Sequence, residues 1–268
     1  MKEIDVYKVL EGKNPKLARR VPRFVVDYLR RTIHEREVNE ILARFGDLEG
    51  IAFVRAALGY MNVRYHSVGM ERLNPEGRYV FASNHPFGGM DGLMLADEVA
   101  RYFGDVRVVV NDLLMYLGPL RGLFVPVNKH GRQDAGSVEA FNNAFASDVP
   151  IVTFPAGLCS RRRRGVVRDL EWKPNFVKKA AAYGRDVVPV YFNGRLSDFF
   201  YRLSNLRTAL GIKANIEMLY LPDEMFRQKG RRFEIRFGEP VRWQSLRDAP
   251  AKVWAGRIRD MVYGLGSE

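Results

Sequence analysis

A histidine and an aspartate six positions apart are the residues of this sequence best placed for acid–base chemistry. They are His85 and Asp91 in segment 79–95, YVFASNHPFGGMDGLML, where an apolar strand pattern leads into a glycine-rich loop and then a helical pattern. A residue that ends a strand of an open α/β sheet lies where such sheets bind ligands. A carboxylate beside an imidazole fixes its tautomer and stabilises its protonated form. The sequence therefore predicts a general base.

A structural role fits the same spacing. His85 and Asp91 could cap the helix and close the turn, with Gly88 and Gly89 shaping the backbone. Spacing alone leaves both interpretations open.

Basic residues follow two other predicted strands, in segment 121–131, RGLFVPVNKHG, and segment 151–165, IVTFPAGLCSRRRRG. If these strands flank the one before His85, their cationic groups converge on the same crevice and could bind an anionic acceptor. The residues that we predict to bind the acceptor are Lys129, Arg161 and Arg162. For the arginine run, a solvated surface loop or a nucleic-acid patch remains an alternative.

Cys159 is a competing candidate, as a nucleophile. It precedes four arginines, which would lower the pKa of a thiol and favour the thiolate. Its local sequence supplies no base, however. As the single cysteine of the chain it forms no intramolecular disulfide and no Cys-x-x-Cys zinc site, and we expect no metal. The sequence also lacks the G-x-S-x-G, Walker A, H-E-x-x-H and G-x-G-x-x-G motifs.

The net charge points to an anionic partner. Lysine and arginine number 43 against 31 aspartate and glutamate, a formal charge of +12. Nucleic acid, an acidic lipid surface, a phosphorylated substrate and an acidic carrier protein all fit such a charge. A second hypothesis is therefore a non-catalytic basic module that binds nucleic acid or anionic membrane. Against nucleic acid, the aromatic residues fall at core spacing and are not interleaved with the basic ones.

The hydrophobic periodicity predicts an α/β fold with a mostly parallel mixed sheet flanked by helices, preceded by an N-terminal helical segment. We place the helical segment at 1–68 and the α/β domain at 69–268. The predicted strands are 79–82, 106–110, 123–127, 151–154, 187–192 and 233–237. The predicted helices between them are 93–103, 135–146, 175–183, 198–210 and 250–264. With no apolar run of spanning length and no signal sequence, we expect a cytoplasmic protein with at most peripheral membrane contact.

Taken in order, four segments resemble the four blocks of the glycerolipid acyltransferase family. They are SNHPFGGMDG, RGLFVPVNKHG, FPAGLCSRRRRG and VVPVYFNG, all within 78–194. The resemblance implies a membrane-associated enzyme of phospholipid synthesis. It would move a fatty acyl group from acyl carrier protein or coenzyme A to an acceptor hydroxyl, with His85 as the base and Asp91 as its orienting partner. The other residues that match the blocks are Asn84, Gly88, Gly89, Phe154 and Pro155.

Two departures from the family pattern concern the acceptor. Five residues, 86–90, separate the histidine from the aspartate where the family usually has four. This form is similar to bacterial lyso-ornithine-lipid and lyso-glycine-lipid O-acyltransferases. In the third block, Ala156, Leu158 and Cys159 replace the usual Glu, Thr and Arg. Acceptor contacts are therefore expected from Lys129 and from the arginine run.

The remaining expectations concern the oxyanion and the partners. Backbone N–H groups around Gly157, in the loop that includes Ser160, are candidates for the oxyanion site. We expect no cofactor beyond the acyl thioester, a lysolipid acceptor and no nucleic acid. The N-terminal helices could lie on an anionic bilayer at the inner face of the cell membrane, or only pack on the sheet. Their basic residues are Lys16, Arg19, Arg20, Arg23, Arg30 and Arg31.

Overall fold

The structure, a computed structural model, describes residues 4–13, 15, 19–111, 117–127 and 135–267. The helices within these ranges are α1 (Val6–Lys13), α2 (Arg23–Thr32), α3 (Glu35–Phe45), α4 (Gly50–Tyr60), α5 (Met90–Phe103), α6 (Ala135–Ala146), α7 (Asn175–Tyr183), α8 (Asp198–Ala209), α9 (Leu221–Phe226) and α10 (Ala251–Gly264). A 3-10 turn, Ile216–Tyr220, precedes α9. Within the described ranges, no helix is long and apolar enough to cross a bilayer.

The strands form one large sheet and a hairpin. They are β1 (Arg64–Val68), β2 (Tyr79–Ser83), β3 (Arg107–Asn111), β4 (Phe124–Val127), β5 (Ile151–Thr153), β6 (Arg161–Arg163), β7 (Val166–Arg168), β8 (Asp186–Phe192) and β9 (Arg232–Phe237). Across the described part of the sheet the order is β1-β9-β8-β2-β5-β3-β4. Neighbours are parallel except β8 and β9, which are antiparallel. The hairpin pairs β6 with β7.

Strand β2 lies near the centre of the sheet because its side chains are apolar on both faces. Phe81 packs into one core cluster with residues of α4, α5 and α8, whereas Val80 and Ala82 pack into a second cluster with α6, α7 and α10. Side chains of a strand alternate between faces, so a strand covered on both sides is apolar throughout. In register, Phe81 lies between Val152 of β5 and Val188 of β8.

The observed architecture confirms the predicted fold class, an α/β protein with a mostly parallel mixed sheet between helices. The sequence analysis, however, places the residues of β1 within the N-terminal helical segment. Its residues 64–68 pair in parallel with β9 at the edge of the sheet, so the helical segment ends with α4 and not at residue 68. The side chains of β1 alternate between exposed and half-buried, and such an edge strand gives no continuous apolar run.

Candidate active site

The site lies at the carboxyl ends of three adjacent parallel strands. His85 follows β2, Phe154 follows β5 and Asn193 follows β8. Asn84 ties two of these ends together. Its side-chain amide donates to the carbonyl of Phe192 at 2.9 Å, and its Oδ1 accepts from the Phe192 amide at 2.8 Å. Since both groups are buried, this bridge fixes the backbone that enters the histidine loop.

Asp91 lies in the first turn of α5 with a fully buried side chain. Its Oδ2 is 3.0 Å from Nδ1 of His85 and also accepts the Phe87 amide at 3.0 Å. Its Oδ1 accepts the Gly92 amide at 2.9 Å. Backbone donors and the positive end of a helix thus compensate a negative charge on this buried carboxylate.

The histidine ring is held in one orientation and remains partly open to solvent. It lies against the Phe154 ring with centroids 4.2 Å apart, and its side chain is 16% exposed. Because Nδ1 faces Asp91, Nε2 is the nitrogen available to a substrate hydroxyl. The predicted pair is therefore brought together in the geometry of a base and its orienting carboxylate, and its catalytic role remains a prediction.

The net electrostatic effect at His85 favours the protonated ring. Burial acts to lower the pKa of His85, but attraction to Asp91, the hydrogen bond to Asp91 and the charge of Asp169 together raise it above the usual value of 6.5. An imidazolium formed during proton abstraction is stabilised by the same charges. The site can therefore accept a proton and hold it for return.

Asp169 is a second buried carboxylate that the sequence analysis missed. Its Oδ1 accepts the His85 amide at 3.2 Å and the Ser160 hydroxyl at 2.6 Å, and its Oδ2 accepts the Trp172 indole N–H at 2.9 Å. Burial, as the largest effect, raises the pKa of Asp169 despite these donors. The only signal in the sequence is a single acidic residue that directly follows an arginine-rich segment, residues 161–168. Asp169 therefore affects His85 in two ways. It accepts the backbone amide of His85, and its negative charge acts to raise the pKa of the His85 ring.

The glycine at 88 is required by both backbone and packing. Gly88 has a φ of +70°, and a side chain there would come within 2.8 Å of Leu221 and 3.2 Å of Cys159. At Gly89, a side chain would lie 3.8 Å from the Met225 sulfur. Gly88 therefore lets α9 cover the histidine loop closely, whereas a side chain at Gly89 would make only ordinary van der Waals contact.

The predicted oxyanion donors already have partners within the protein. The Gly157 amide donates to the Phe154 carbonyl at 2.9 Å, and the Ser160 amide donates to the His85 carbonyl at 2.8 Å. These two hydrogen bonds shape the loop, and the oxyanion role of the N–H groups around Gly157 remains a prediction. Pro155 has a similar role, since its carbonyl accepts the Lys173 amide at 3.0 Å.

Arg161 is also engaged internally. It is 6% exposed, its Nη1 donates to the Cys159 carbonyl at 2.6 Å, and its Nη2 lies 2.9 Å from Oε1 of the fully buried Glu217. Arg162 pairs with Asp198 at 2.8 Å. These contacts give both predicted acceptor ligands structural partners. The third predicted ligand, Lys129, lies outside the described residues.

Two further side chains bear on the chemistry. Burial raises the pKa of the Cys159 thiol to about 11 although Arg161 acts to lower it, so the competing nucleophile is mostly an unreactive thiol near neutral pH. Lys173, which the sequence analysis did not single out, carries an exposed amine 3.6 Å from where a side chain at Gly157 would lie.

Within the described residues, no group of three or more His, Cys, Asp or Glu side chains is arranged to hold a metal ion.

Comparison with known proteins identifies the family. A family model described as an acyltransferase matches residues 8–263. The lyso-glycine lipid O-acyltransferase of Bacteroides thetaiotaomicron is 46% identical over 265 residues, covering 98% of this chain and 97% of its own length. That of Phocaeicola vulgatus is 44% identical over 265 residues, with 98% and 95% covered.

Among solved structures, the 1-acyl-sn-glycerophosphate acyltransferase PlsC of Thermotoga maritima aligns with a TM-score of 0.47 at 15% identity, covering 81% of this chain and 77% of its own. The family model and the two relatives each span nearly the whole chain. The resemblance predicted from the four sequence blocks is confirmed, and the chain belongs to the acyltransferase family.

Proposed function

We propose that this acyltransferase moves a fatty acyl group from a thioester to the hydroxyl of a lyso-aminolipid of the lyso-glycine lipid class. The single observation that carries the proposal is the 3.0 Å contact between His85 and a fully buried Asp91 at the sheet edge where ligands bind. The names of the two relatives support the acceptor. Family membership favours an enzyme over the non-catalytic basic module considered from the sequence.

In the proposed reaction, Nε2 of His85 takes the proton of the acceptor hydroxyl while the oxygen attacks the thioester carbonyl. A carbon–oxygen bond forms, the tetrahedral intermediate collapses with cleavage of the carbon–sulfur bond, and the leaving thiolate takes the proton from the imidazolium. Asp91 keeps Nδ1 protonated and stabilises the charged ring throughout. The reaction needs no covalent enzyme intermediate, in keeping with the raised pKa of Cys159.

The donor in this proposal is acyl carrier protein or coenzyme A loaded with a fatty acid, and no further cofactor takes part. Both carriers are anionic, and the formal charge of +12 supports their binding. We place the enzyme at the inner face of the cell membrane as a peripheral protein of membrane-lipid synthesis, since its acceptor is a lipid. Nucleic acid has no part in it.

The direct test is an acyl-transfer assay with purified protein. Thioesters of coenzyme A and acyl carrier protein are combined with a panel of lysolipids, and products are identified by mass spectrometry. We expect an O-acylated product from lyso-glycine lipid with at least one donor. Product from lysophosphatidate alone would contradict the proposed acceptor, and no product from any pair would contradict the activity.

Replacement of the proposed base tests the chemistry. His85→Ala should lower kcat about 10²-fold to 10⁴-fold, the usual range for loss of a general base. The matched control is His66→Ala. His66 lies on the edge strand β1, where it pairs with Glu234 of β9, so its replacement should leave kcat unchanged. Circular dichroism and thermal unfolding check that both variants fold. A folded His85→Ala enzyme with full activity would exclude the proposed role.

The pH profile tests the electrostatics. A general base works unprotonated, and the pKa of His85 is raised. The value of kcat/KM should therefore rise with pH, and the midpoint of the rise should lie above pH 6.5. Asp169→Asn removes one of the charges that raise this pKa, so the midpoint should move to lower pH. Asp260→Asn, which changes an exposed carboxylate paired with Arg168, is the control. A midpoint that stays in place in Asp169→Asn would show that Asp169 only supports the fold.

A comparison of two arginines separates acceptor binding from support of the fold. Arg161→Gln removes one of the two arginines that pair with the buried Glu217, the other being Arg207 at 2.8 Å, so we expect a loss of about 1.5–3 kcal/mol in the free energy of unfolding. Arg163→Gln, at an exposed hairpin position, should change it by less than about 0.5 kcal/mol. Urea unfolding measures both. An unchanged unfolding midpoint in Arg161→Gln, together with a raised acceptor KM, would instead favour the head-group role predicted from the sequence.

A further inference from the structure

A group of large apolar side chains is exposed in one stretch of the chain. We call it the 199–219 patch, and its exposed fractions run from 36% to 65% for Phe199, Leu206, Leu210, Ile212, Ile216 and Leu219. Single exposed apolar residues are common on protein surfaces, whereas contiguous groups mark interaction sites. The patch therefore calls for a partner.

The first three side chains of the patch lie on one face. Leu206 and Leu210 follow Phe199 by 7 and 11 positions, which places all three on the same side of α8. The chain then folds back, since Arg207 donates to the Ile212 carbonyl at 2.8 Å. At the other end, the Phe199 ring meets the Tyr220 ring with centroids 4.9 Å apart.

Helix α2 extends this surface. Phe24 and Tyr28, one helical turn apart, are 72% and 46% exposed. The Tyr28 hydroxyl is hydrogen-bonded to the Tyr220 hydroxyl at 2.6 Å. The exposed apolar positions of α2 and of the 199–219 patch are thus joined across one contact.

The charge of the patch favours an anionic lipid surface. Arg202 and Lys213 are exposed cations of the patch, whereas its one acidic residue, Glu217, is buried and paired with Arg161 and Arg207. On α2, the exposed Arg23 and Arg31 outnumber the one acidic residue, Asp27. Exposed apolar side chains interleaved with cations are the pattern by which peripheral proteins bind acidic bilayers.

The patch also adjoins the site. Glu217, between Ile216 and Leu219, is held to the hairpin by its buried ion pair with Arg161. Leu221, at the start of α9, packs over Gly88 of the histidine loop. A lipid bound at this surface would therefore lie beside the loop that carries His85.

The geometry points to the 199–219 patch, with Phe24 and Tyr28, as the surface that enters the interfacial layer of an anionic bilayer and places the lysolipid beside the site. This inference rests on the proposed function, which supplies the identity of the lipid acceptor. Membrane binding by the patch itself requires no catalysis, so the two can fail separately.

The test is co-sedimentation with vesicles of phosphatidylcholine containing phosphatidylglycerol, without substrate. A double variant, Leu206→Ser with Leu210→Ser, should lower the partition coefficient by about 10-fold to 100-fold, since each change removes an apolar side chain from the lipid. The matched control is Val253→Ser with Met261→Ser, two exposed apolar residues of α10 outside the patch, which should bind as wild type. Binding should weaken in vesicles of phosphatidylcholine alone and at high salt.

Activity separates membrane binding from catalysis. The Leu206→Ser, Leu210→Ser protein should retain its rate on an acceptor dispersed in detergent and lose rate on the same acceptor in vesicles. Vesicle binding equal to wild type in this double variant, or no vesicle binding by the wild type, would overturn the proposal. The proposal would also be overturned if the wild type is a dimer and the double variant a monomer while vesicle binding is unchanged, because the patch would then bind a second copy of the chain. Vesicle binding by a protein that transfers no acyl group would leave the surface assignment standing and refute only the proposed function.

Discussion

The contact between His85 and Asp91 depends on how the chain passes from β2 into α5. The strand ends at Ser83 and the helix begins at Met90, so the histidine and the first turn of the helix are connected by a very short segment. Within it, the Phe87 amide reaches back to the same carboxylate oxygen that binds the imidazole. The loop backbone and the imidazole are thus held by one acceptor atom. A change that moves the turn also moves the ring.

A second buried carboxylate secures the other side of the histidine. Asp169 joins the His85 amide, the Ser160 hydroxyl and the Trp172 indole, and its own amide donates to the Tyr263 hydroxyl at 2.7 Å. Apart from His85 itself, these partners come from the loop after β5, the segment before α7 and the end of α10. The orientation of one ring therefore depends on packing contributed by distant parts of the sequence.

The sequence predicted the central strands because each is buried on both faces and forms an apolar run, as β2 and β8 show. The His–Asp contact could also be anticipated, since both residues belong to one strand–turn–helix unit. The partner of Arg161 could not, because Glu217 lies 56 positions further along the chain and only tertiary packing brings them together. The role of Asp169 could not be predicted for the same reason, since Asp169 and His85 are 84 positions apart in the sequence. Strand β1 was missed because an edge strand with one exposed face resembles a polar linker.

The reversed direction of β9 determines where the segment between β8 and β9 lies. Because β9 runs antiparallel to β8, its first residue, Arg232, lies at the edge where β8 ends at Phe192. Residues 193–231 therefore leave and re-enter the sheet at the same edge, the one beside His85. A parallel strand would have required a crossover back to the far edge. The same segment supplies Phe200 and Tyr201 to the main core and Leu221 to the contact at Gly88, so a change in its length would be felt directly at the histidine loop.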